Sequence, residues 1–463
     1  MSRGAVLGNA DPFLLSALRF LELGEALRLQ GRLAEAKAAY EAALEGAPDS
    51  GEAWLGLGLT AEAMNGAQEA RRAFAQAVPL LADPTDALLG LASACHSLGK
   101  PFAALEAWQA ARRHRPTDLR IDNIVWQGFN EVSGEGDGYA GAIAQGNRWR
   151  AKERFEEALA AYKRAQALDP DPPFAFSRAG CLLAKMGDYR QAEAEFAEAR
   201  SRFDWVESGL RLDPAFFDGL PKSQHRFDFL RKAGGEGPIV LIGCDAGYFK
   251  RYAERLWRSL CRVEGNAARL HAHLVHPDAE CLALAGSFGM GLSVESPELG
   301  GRSRNFVNTY YASARFLALP ELLGLYGRPL LVMDVDAQIL KPLAPLWAVL
   351  GESDMAIRRW QGAMVDPWNE PQANLVGVNP TPKGRAFAGS LARFLAHFVA
   401  KGQLFGFFDQ AALYSVLAAD GALTGLKKGA FPQFAYGYPT NRGAALDALS
   451  YPSDLLVGEA KAP

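Results

Sequence analysis

The stretch ALRFLELGEALRLQGRLAEAKAAYEAALEGAPDS, residues 17–50, decides the fold of the N-terminal half, because its pattern returns along the chain. It carries Leu23-Gly24, Gly31, Ala36, Tyr40, Ala43 and Pro48. A shift of 34 residues gives Leu57-Gly58, Ala70, Phe74 and Ala77, with Trp54 ahead of them. A second shift gives Leu91, Gly99, Ala104, Trp108, Ala111 and Pro116. After an insertion near 119–138 come Gly146, Ala158, Tyr162, Ala165 and Pro170, then Gly180, Gly187, Ala192, Phe196 and Ala199. The units start near 17, 51, 85, 139 and 173. A fixed period of this length marks stacked supersecondary units that bury a shared core. Each unit reads as two antiparallel helices. Gly and Ala let the helices approach, the aromatic fills the gap to the next unit, and proline closes the second helix because it cannot continue the hydrogen bonding.

This pattern resembles the tetratricopeptide-repeat family. The resemblance implies an α-helical solenoid over 1–206, broken by the insertion containing Gly134, Gly136 and Gly138. Solenoids of this kind bind partners along a concave face. A length of 463 residues predicts two to three domains. Apolar residues make up 49% and charged residues 22%, an ordinary globular composition. A net charge of −3 gives no electrostatic footprint for nucleic acid. Cys95, Cys181, Cys244, Cys261 and Cys281 are scattered and odd in number, which argues against a disulfide framework or a cysteine zinc site. The start lacks a basic head followed by an apolar run, and no 18-residue apolar stretch occurs. The expected compartment is the cytoplasm, with peripheral membrane contact left open.

From Gly237 the pattern changes. Pro238 to Gly243 is a short apolar run ending in Cys244-Asp245, Leu270 to His276 alternates, and Leu330 to Met333 ends in Asp334-Val335-Asp336. Helical segments such as Tyr248 to Cys261 and Tyr310 to Leu323 lie between them. Strands alternating with helices predict an α/β domain over 237–463 with a mostly parallel sheet. Its ligands bind beyond the carboxyl ends of strands, where Asp245, Asp334 and Asp336 fall. Residues 207–236 form the connector, and Phe216, Phe217, Phe227 and Phe229 mark it as a packed joint.

Asp334 and Asp336, two apart at a strand end, can reach one ion. Mg²⁺ or Mn²⁺ prefers such oxygen ligands and completes its shell with phosphate oxygens. Read in order, the segments resemble glycosyltransferases of the GT-A fold, especially the glycogenin and bacterial lipopolysaccharide galactosyltransferase-like group. The resemblance rests on Cys244-Asp245-Ala-Gly-Tyr248, Tyr310-Tyr311-Ala-Ser-Ala-Arg315, Leu331-Val-Met-Asp334-Val-Asp336, Ala373-Asn374-Leu-Val-Gly377 and Phe408-Asp409-Gln410. It implies a Rossmann-like domain that moves a sugar from a nucleoside diphosphate sugar, foremost a UDP-sugar, with retention. Asp334 and Asp336 would bind the metal, Asp334 also meeting the donor. Asp245 and Tyr248 would hold the base, Arg315 would offset diphosphate charge, Asn374 would flank the donor sugar, and Asp409 and Gln410 would stand at the reacting centre. The repeats would then recruit the acceptor, a protein or glycan.

The chain departs from that pattern. No histidine follows His397 to serve as third metal ligand, Asn441 being the substitute on offer, and Lys427 or Lys428 stands where a phosphate-binding lysine is expected. Two other readings stand beside it. One is a non-catalytic repeat adaptor with a degenerate transferase domain. The other is a haloacid dehalogenase-type phosphatase with Asp334 as nucleophile and Asp336 as acid/base, against which Gln338 and the late position of the motif count. His271, His273 and His276 read as a polar strand face in preference to a metal cluster. Arg358-Arg359-Trp360 reads as a solvated basic turn, and Tyr436 and Tyr438, near Asn441 and Arg442, read equally as the lining of an acceptor cleft or as surface packing.

Overall fold

The computed structural model describes residues 12–432 except 116–117, 119–120, 122–123, 126, 130–131, 133–135, 203–208, 224, 236, 266–268 and 360–365, together with the strand at 436–437. The expectations placed on Pro116, Gly134, Trp360, Tyr438, Asn441 and Arg442, and on the side chain of Tyr436, fall outside those residues. The chain forms two compact units, Met1–Ala175 and Phe176–Pro463. The division falls inside the stretch read as the repeat array, so the fifth repeat lies with the second unit.

The first unit is a run of helical hairpins: α1 Pro12–Leu29 with α2 Leu33–Gly46, α3 Gly51–Ala63 with α4 Ala67–Ala77, α5 Thr85–Ser97 with α6 Pro101–His114, and α7 Gly138–Ala151 with α8 Phe155–Leu168. Tyr40, Phe74 and Tyr162 are fully buried. The reason glycine recurs is steric. A Cβ on Gly24 would lie 2.9 Å from the Tyr40 ring, and one on Gly56, in the next hairpin, would overlap it. Phe74 is gripped in the same way by Gly58 and Gly90. Each ring thus plugs the gap between its own hairpin and the next, which turns a sequence period into a continuous core. The insertion is packed as well: Asn147 Nδ2 donates to the carbonyls of Phe129 (2.7 Å) and Val132 (3.2 Å), and Tyr162 donates to Asn147 Oδ1 at 2.8 Å. We expect Gly56→Ala to destabilise the first unit by about 1–3 kcal/mol, the usual effect of overpacking. Urea unfolding followed by far-UV circular dichroism checks this; an unchanged midpoint would contradict the plug.

In the second unit, α9 Phe174–Lys185 and α10 Tyr189–Arg202 complete the fifth hairpin, and α11 Pro214–Asp218 follows. An eight-stranded sheet then forms in the order β1-β4-β3-β2-β5-β8-β7-β9. The strands are β1 Asp228–Arg231, β2 Ile239–Asp245, β3 Leu270–Val275, β4 Gly291–Glu295, β5 Leu330–Met333, β7 Met355–Arg359, β8 Pro371–Val378 and β9 Lys428–Ala430, while β6 Gln338–Ile339 pairs separately with β10 Tyr436–Gly437. Side chains alternate between the faces. Ile239, Leu241, Leu330 and Val332 enter one core with α14 Arg304–Tyr326, α16 Pro382–Lys401 and α17 Phe408–Ala419. Val240, Ile242, Leu331 and Met333 enter the other with α12 Ala246–Glu264, α13 Ala279–Ser287 and α15 Ala344–Gly351. Burial on both faces explains the unbroken apolar runs.

The sheet is mixed where helix–strand alternation predicts a mostly parallel one. β2 pairs parallel with β3 and β5, as do β3 with β4 and β7 with β9; β1–β4, β5–β8 and β7–β8 are antiparallel. Neighbouring parallel strands need a crossover, commonly a helix. Only residues 360–370 separate β7 from β8, so β8 returns antiparallel. Arg358 and Arg359 correspondingly end a strand and do not form a turn.

The segment before the sheet belongs to this core. Phe217 is buried in it, and Phe216, Phe227 and Phe229 pack against it. Phe217 stacks on Phe394 with centroids 5.8 Å apart. Arg178, 1% exposed, pairs with Asp366, and the Arg211 amide donates to Ser415 Oγ at 3.1 Å. A fragment spanning 176–463 is therefore expected to melt cooperatively, whereas one starting at 234 strips the helix-side core and should aggregate or lose several degrees of Tm. Scanning calorimetry of the two fragments checks this, and equal melting temperatures would contradict the packing.

Candidate functional site

β2 is flanked by β3 on one side and β5 on the other, so the chain order reverses there. The crevice beyond the carboxyl ends of such strands is where α/β sheets bind ligands. A cavity of about 470 Å³ opens at that place, lined by Asp245, Tyr248, Arg304, Asn308, Tyr311, Arg315, Asp334 and Asp336 among others.

Local structure explains each position. After β5 the chain turns, with the Ala337 amide donating to the Asp334 carbonyl at 3.2 Å. Val335, 2% exposed, points into the core, so both flanking carboxylates meet the cavity. Arg255 Nη2 donates to the Asp336 carbonyl at 3.3 Å and steadies the turn. Asp245 is the N-cap of α12, its Oδ1 accepting from the amides of Gly247 (2.8 Å) and Tyr248 (3.2 Å). Tyr248, one turn on, donates its hydroxyl to Asp336 Oδ2 at 2.9 Å. Burial and the Asp336 carboxylate push the Tyr248 phenol well above its usual range. Burial, with the neighbouring charge of Asp334, raises the Asp336 carboxyl.

Arg315 sits behind this pair and is 4% exposed. Its Nη2 lies 2.6 Å from Asp334 Oδ1 and 3.6 Å from Asp409 Oδ2, and donates to the Ala373 carbonyl at 3.3 Å. A side chain on Gly243 would come 2.8 Å from the Arg315 Cβ, so glycine on β2 lets α14 approach. Burial raises the Asp409 carboxyl, and the Arg315 cation works against that shift. Asp245, Tyr248, Arg315, Asp334 and Asp336 are thus brought together, and Asp409 joins them through Arg315. Gln410 and Asn374 are not among the lining residues. The Gln410 amide faces Asn369 Oδ1 at 3.4 Å, and Asn374 lies on β8, next to Leu375, which pairs with Met333. Of the two late lysines, Lys427 reaches toward Glu352 at 3.8 Å and Lys428 donates to the Leu417 carbonyl at 3.1 Å.

The sequence reading missed Arg304 and Asn308. With Tyr311 and Arg315 they recur at intervals of four, three and four, which is one stripe of a helix. That periodicity was available in the sequence; what hid it was the helix start, fixed by Ser303, whose Oγ accepts from the Phe306 amide at 3.2 Å.

His271 and His273 share one polar face of β3, and both are fully buried. His271 contacts Tyr326 (2.8 Å) and Ser293 (2.9 Å), and His273 contacts Ser293 (2.8 Å) and Glu295 (3.2 Å). Alternation along a strand cannot distinguish water from a buried polar network, and a helix covers this face. His276 lies beyond the strand and is exposed.

A tetratricopeptide-repeat family profile matches residues 19–60. No curated protein matches the chain. Among solved structures, YrrB, described as a TPR protein with an unusual peptide-binding site, is 20% identical, with 42% of this chain and 93% of that one covered and a TM-score of 0.23. The first TPR of Spaghetti (RPAP3), bound to an HSP90 peptide, is 19% identical over 25% of this chain and 91% of its own, with a TM-score of 0.24. A thermophilic TPR protein of Thermus thermophilus is 22% identical over 40% of this chain and 91% of its own, with a TM-score of 0.21. The N-terminal half is a helical tetratricopeptide-like array, and the C-terminal part is built on a mixed eight-stranded sheet. No described helix is long and apolar enough to cross a membrane.

Arg315→Ala would leave Asp334 and Asp409 without their cation. Removing one partner of a buried pair costs about 3–5 kcal/mol, with protonation of Asp409 reducing the loss. We expect a lower Tm for Arg315→Ala and partial recovery in Arg315→Lys. An unchanged Tm in both would show that the guanidinium does not organise the site.

Proposed function

We propose that the second unit is a metal-dependent glycosyltransferase of GT-A type and that the repeats bind the partner or acceptor on which it acts. The observation that carries the reading is the convergence of Asp245, Tyr248, Arg315, Asp334 and Asp336 on one cavity at the switch point of the sheet. A cavity of about 470 Å³ falls within the range typical of small-molecule sites.

The residues fit a hard divalent cation. The donors are carboxylate oxygens, and the crowding of Asp334 against a half-buried Asp336 leaves negative charge that Mg²⁺ or Mn²⁺ would offset. When bound, such an ion supplies charge neutralisation for a departing nucleoside diphosphate. The chain's own residues do the rest. Tyr248 fixes the rotamer of Asp336, and Arg315 fixes that of Asp334. Arg304, exposed on the cavity-lining stripe of α14, offers a positive charge to the diphosphate. Tyr248 and Tyr311 offer ring faces to a base. Asp409, held by Arg315, would serve the reacting centre from behind Asp334, while the Gln410 side chain faces Asn369. Recruitment by the repeats would act by raising effective acceptor concentration.

The adaptor reading keeps one observation in its favour: Arg315 is already engaged by two carboxylates, Asp334 and Asp409. Donor hydrolysis separates the two. With Mn²⁺ and a panel of nucleotide sugars, turnover should appear for one donor, vanish in Asp336→Ala and fall severely in Asp336→Asn, since a neutral amide is a poor ligand for a hard cation. Absence of turnover with every donor would favour the adaptor, and unchanged turnover in both variants at saturating Mn²⁺ would overturn the metal role of Asp336.

A further inference from the structure

A second polar constellation lies on the helix-covered face of β3 and β4, apart from the carboxylate cavity. Glu295 ends β4, and its side chain is 4% exposed. Its Oε1 lies 3.2 Å from His273 Nε2, and its Oε2 lies 3.3 Å from His225 Nε2 and accepts from the Tyr310 hydroxyl at 3.0 Å. One ligand atom from each of His225, His273 and Glu295 falls within 4.8 Å of the others. Although it is close to Glu295, the buried His225 Nε2 makes no hydrogen bond. Leaving a buried polar atom unsatisfied is costly, so the arrangement calls for a partner.

We propose that His225, His273 and Glu295 form a second metal site, for a divalent ion of the zinc class, with its open position toward the neighbouring cavity. Ligands at about 2.0–2.1 Å from a tetrahedral ion lie about 3.3 Å from one another, and each imidazole already stands at about that distance from one oxygen of Glu295, His273 from Oε1 and His225 from Oε2. Two imidazoles and one carboxylate with a position left over are the donor set of an open zinc site, and they differ from the all-oxygen set at Asp334 and Asp336. The surrounding hydrogen bonds supply the orienting shell such ligands need. For His273 Nε2 to present a lone pair, Nδ1–H must donate to Ser293 Oγ. Ser293 can then donate to His271 Nε2, and His271 Nδ1–H to the Tyr326 oxygen. Every one of those contacts is in place at 2.8–2.9 Å.

The cavity identifies the class of co-ligand. It has a volume of about 490 Å³, and His225 and Tyr310 form part of its wall. Lys222, Arg393 and Lys401 bring positive charge, and His397 adds a second buried Nε2 without a hydrogen-bond partner. Leu317 and Val399 are apolar. A small anion, a carboxylate or phosphate carrying an apolar body, fits the open metal position and these cations together.

The test uses the full chain carrying Asp334→Asn and Asp336→Asn, which removes the oxygen site, so its outcome is independent of the transferase reading. Titration with Co²⁺ should give one equivalent bound, with the strong visible absorption of four-coordinate cobalt, displaced by Zn²⁺. Adding His225→Ala or Glu295→Gln should weaken binding by at least about 10-fold, the lower end of what even outer-shell changes cost. His225→Asn, checked for a native circular dichroism spectrum, guards against simple unfolding. Failure to bind stoichiometric Co²⁺, or binding unaltered by all three changes, would overturn the site.

Discussion

One buried guanidinium sets the geometry at the carboxyl edge of the sheet. Arg315 rises from α14 behind β2, meets Asp334 at the end of β5, approaches Asp409 at the start of α17 and donates to the carbonyl of Ala373 on β8. Like charges about 4 Å apart near a protein surface repel by about 4 kcal/mol. With Asp336 beside them, these carboxylates could not share a dry corner without that cation. Gly243 is the sequence-level condition for it, because any side chain there would displace the arginine's own stem. The turn that exposes Asp336 and buries Val335 then needs only Tyr248 and Arg255 to hold its shape.

Helix α14 serves two polar systems at once. Tyr311 and Arg315 face the carboxylate cavity, while Tyr310, one residue away, donates to Glu295 in the histidine network. A step of one residue turns a helix by about 100°, which suffices to separate the two systems. The sheet itself completes the segregation: oxygen donors gather at strand ends, and imidazoles lie on the face of a strand that a helix covers.

The repeats were legible because their signal is steric and periodic. Rings 34 residues apart, each with a glycine on either side, mark stacked hairpins, and Tyr40 and Phe74 are buried as that stacking requires. The placement of Asp334 and Asp336 at a strand end was legible for a similar reason, since an apolar run breaking into Asp-x-Asp marks where a buried strand emerges. Strand direction was not, because side-chain alternation is the same for either direction and the short link between β7 and β8 decides the pairing. His225 was invisible because it lies in the connector, 48 residues from His273, and only the return of the chain beside β4 brings it to Glu295. Asn374 and Gln410 carried motif-level expectations, but their side chains depend on β8 register and the cap of α17, which the sequence does not fix.

The proposal that the second unit handles a nucleoside diphosphate sugar depends on a ligand meeting Asp334 and Asp336 through a divalent ion. The most direct measurement is the thermal stabilisation of the full chain by a panel of nucleotide sugars with and without Mn²⁺. A donor at 100 times its dissociation constant adds about 2.7 kcal/mol to the unit that binds it. A rise in the melting temperature is expected for one nucleotide class, present only with Mn²⁺ and lost in Asp336→Asn. No shift with any donor, or a shift that needs neither the ion nor Asp336, would contradict it.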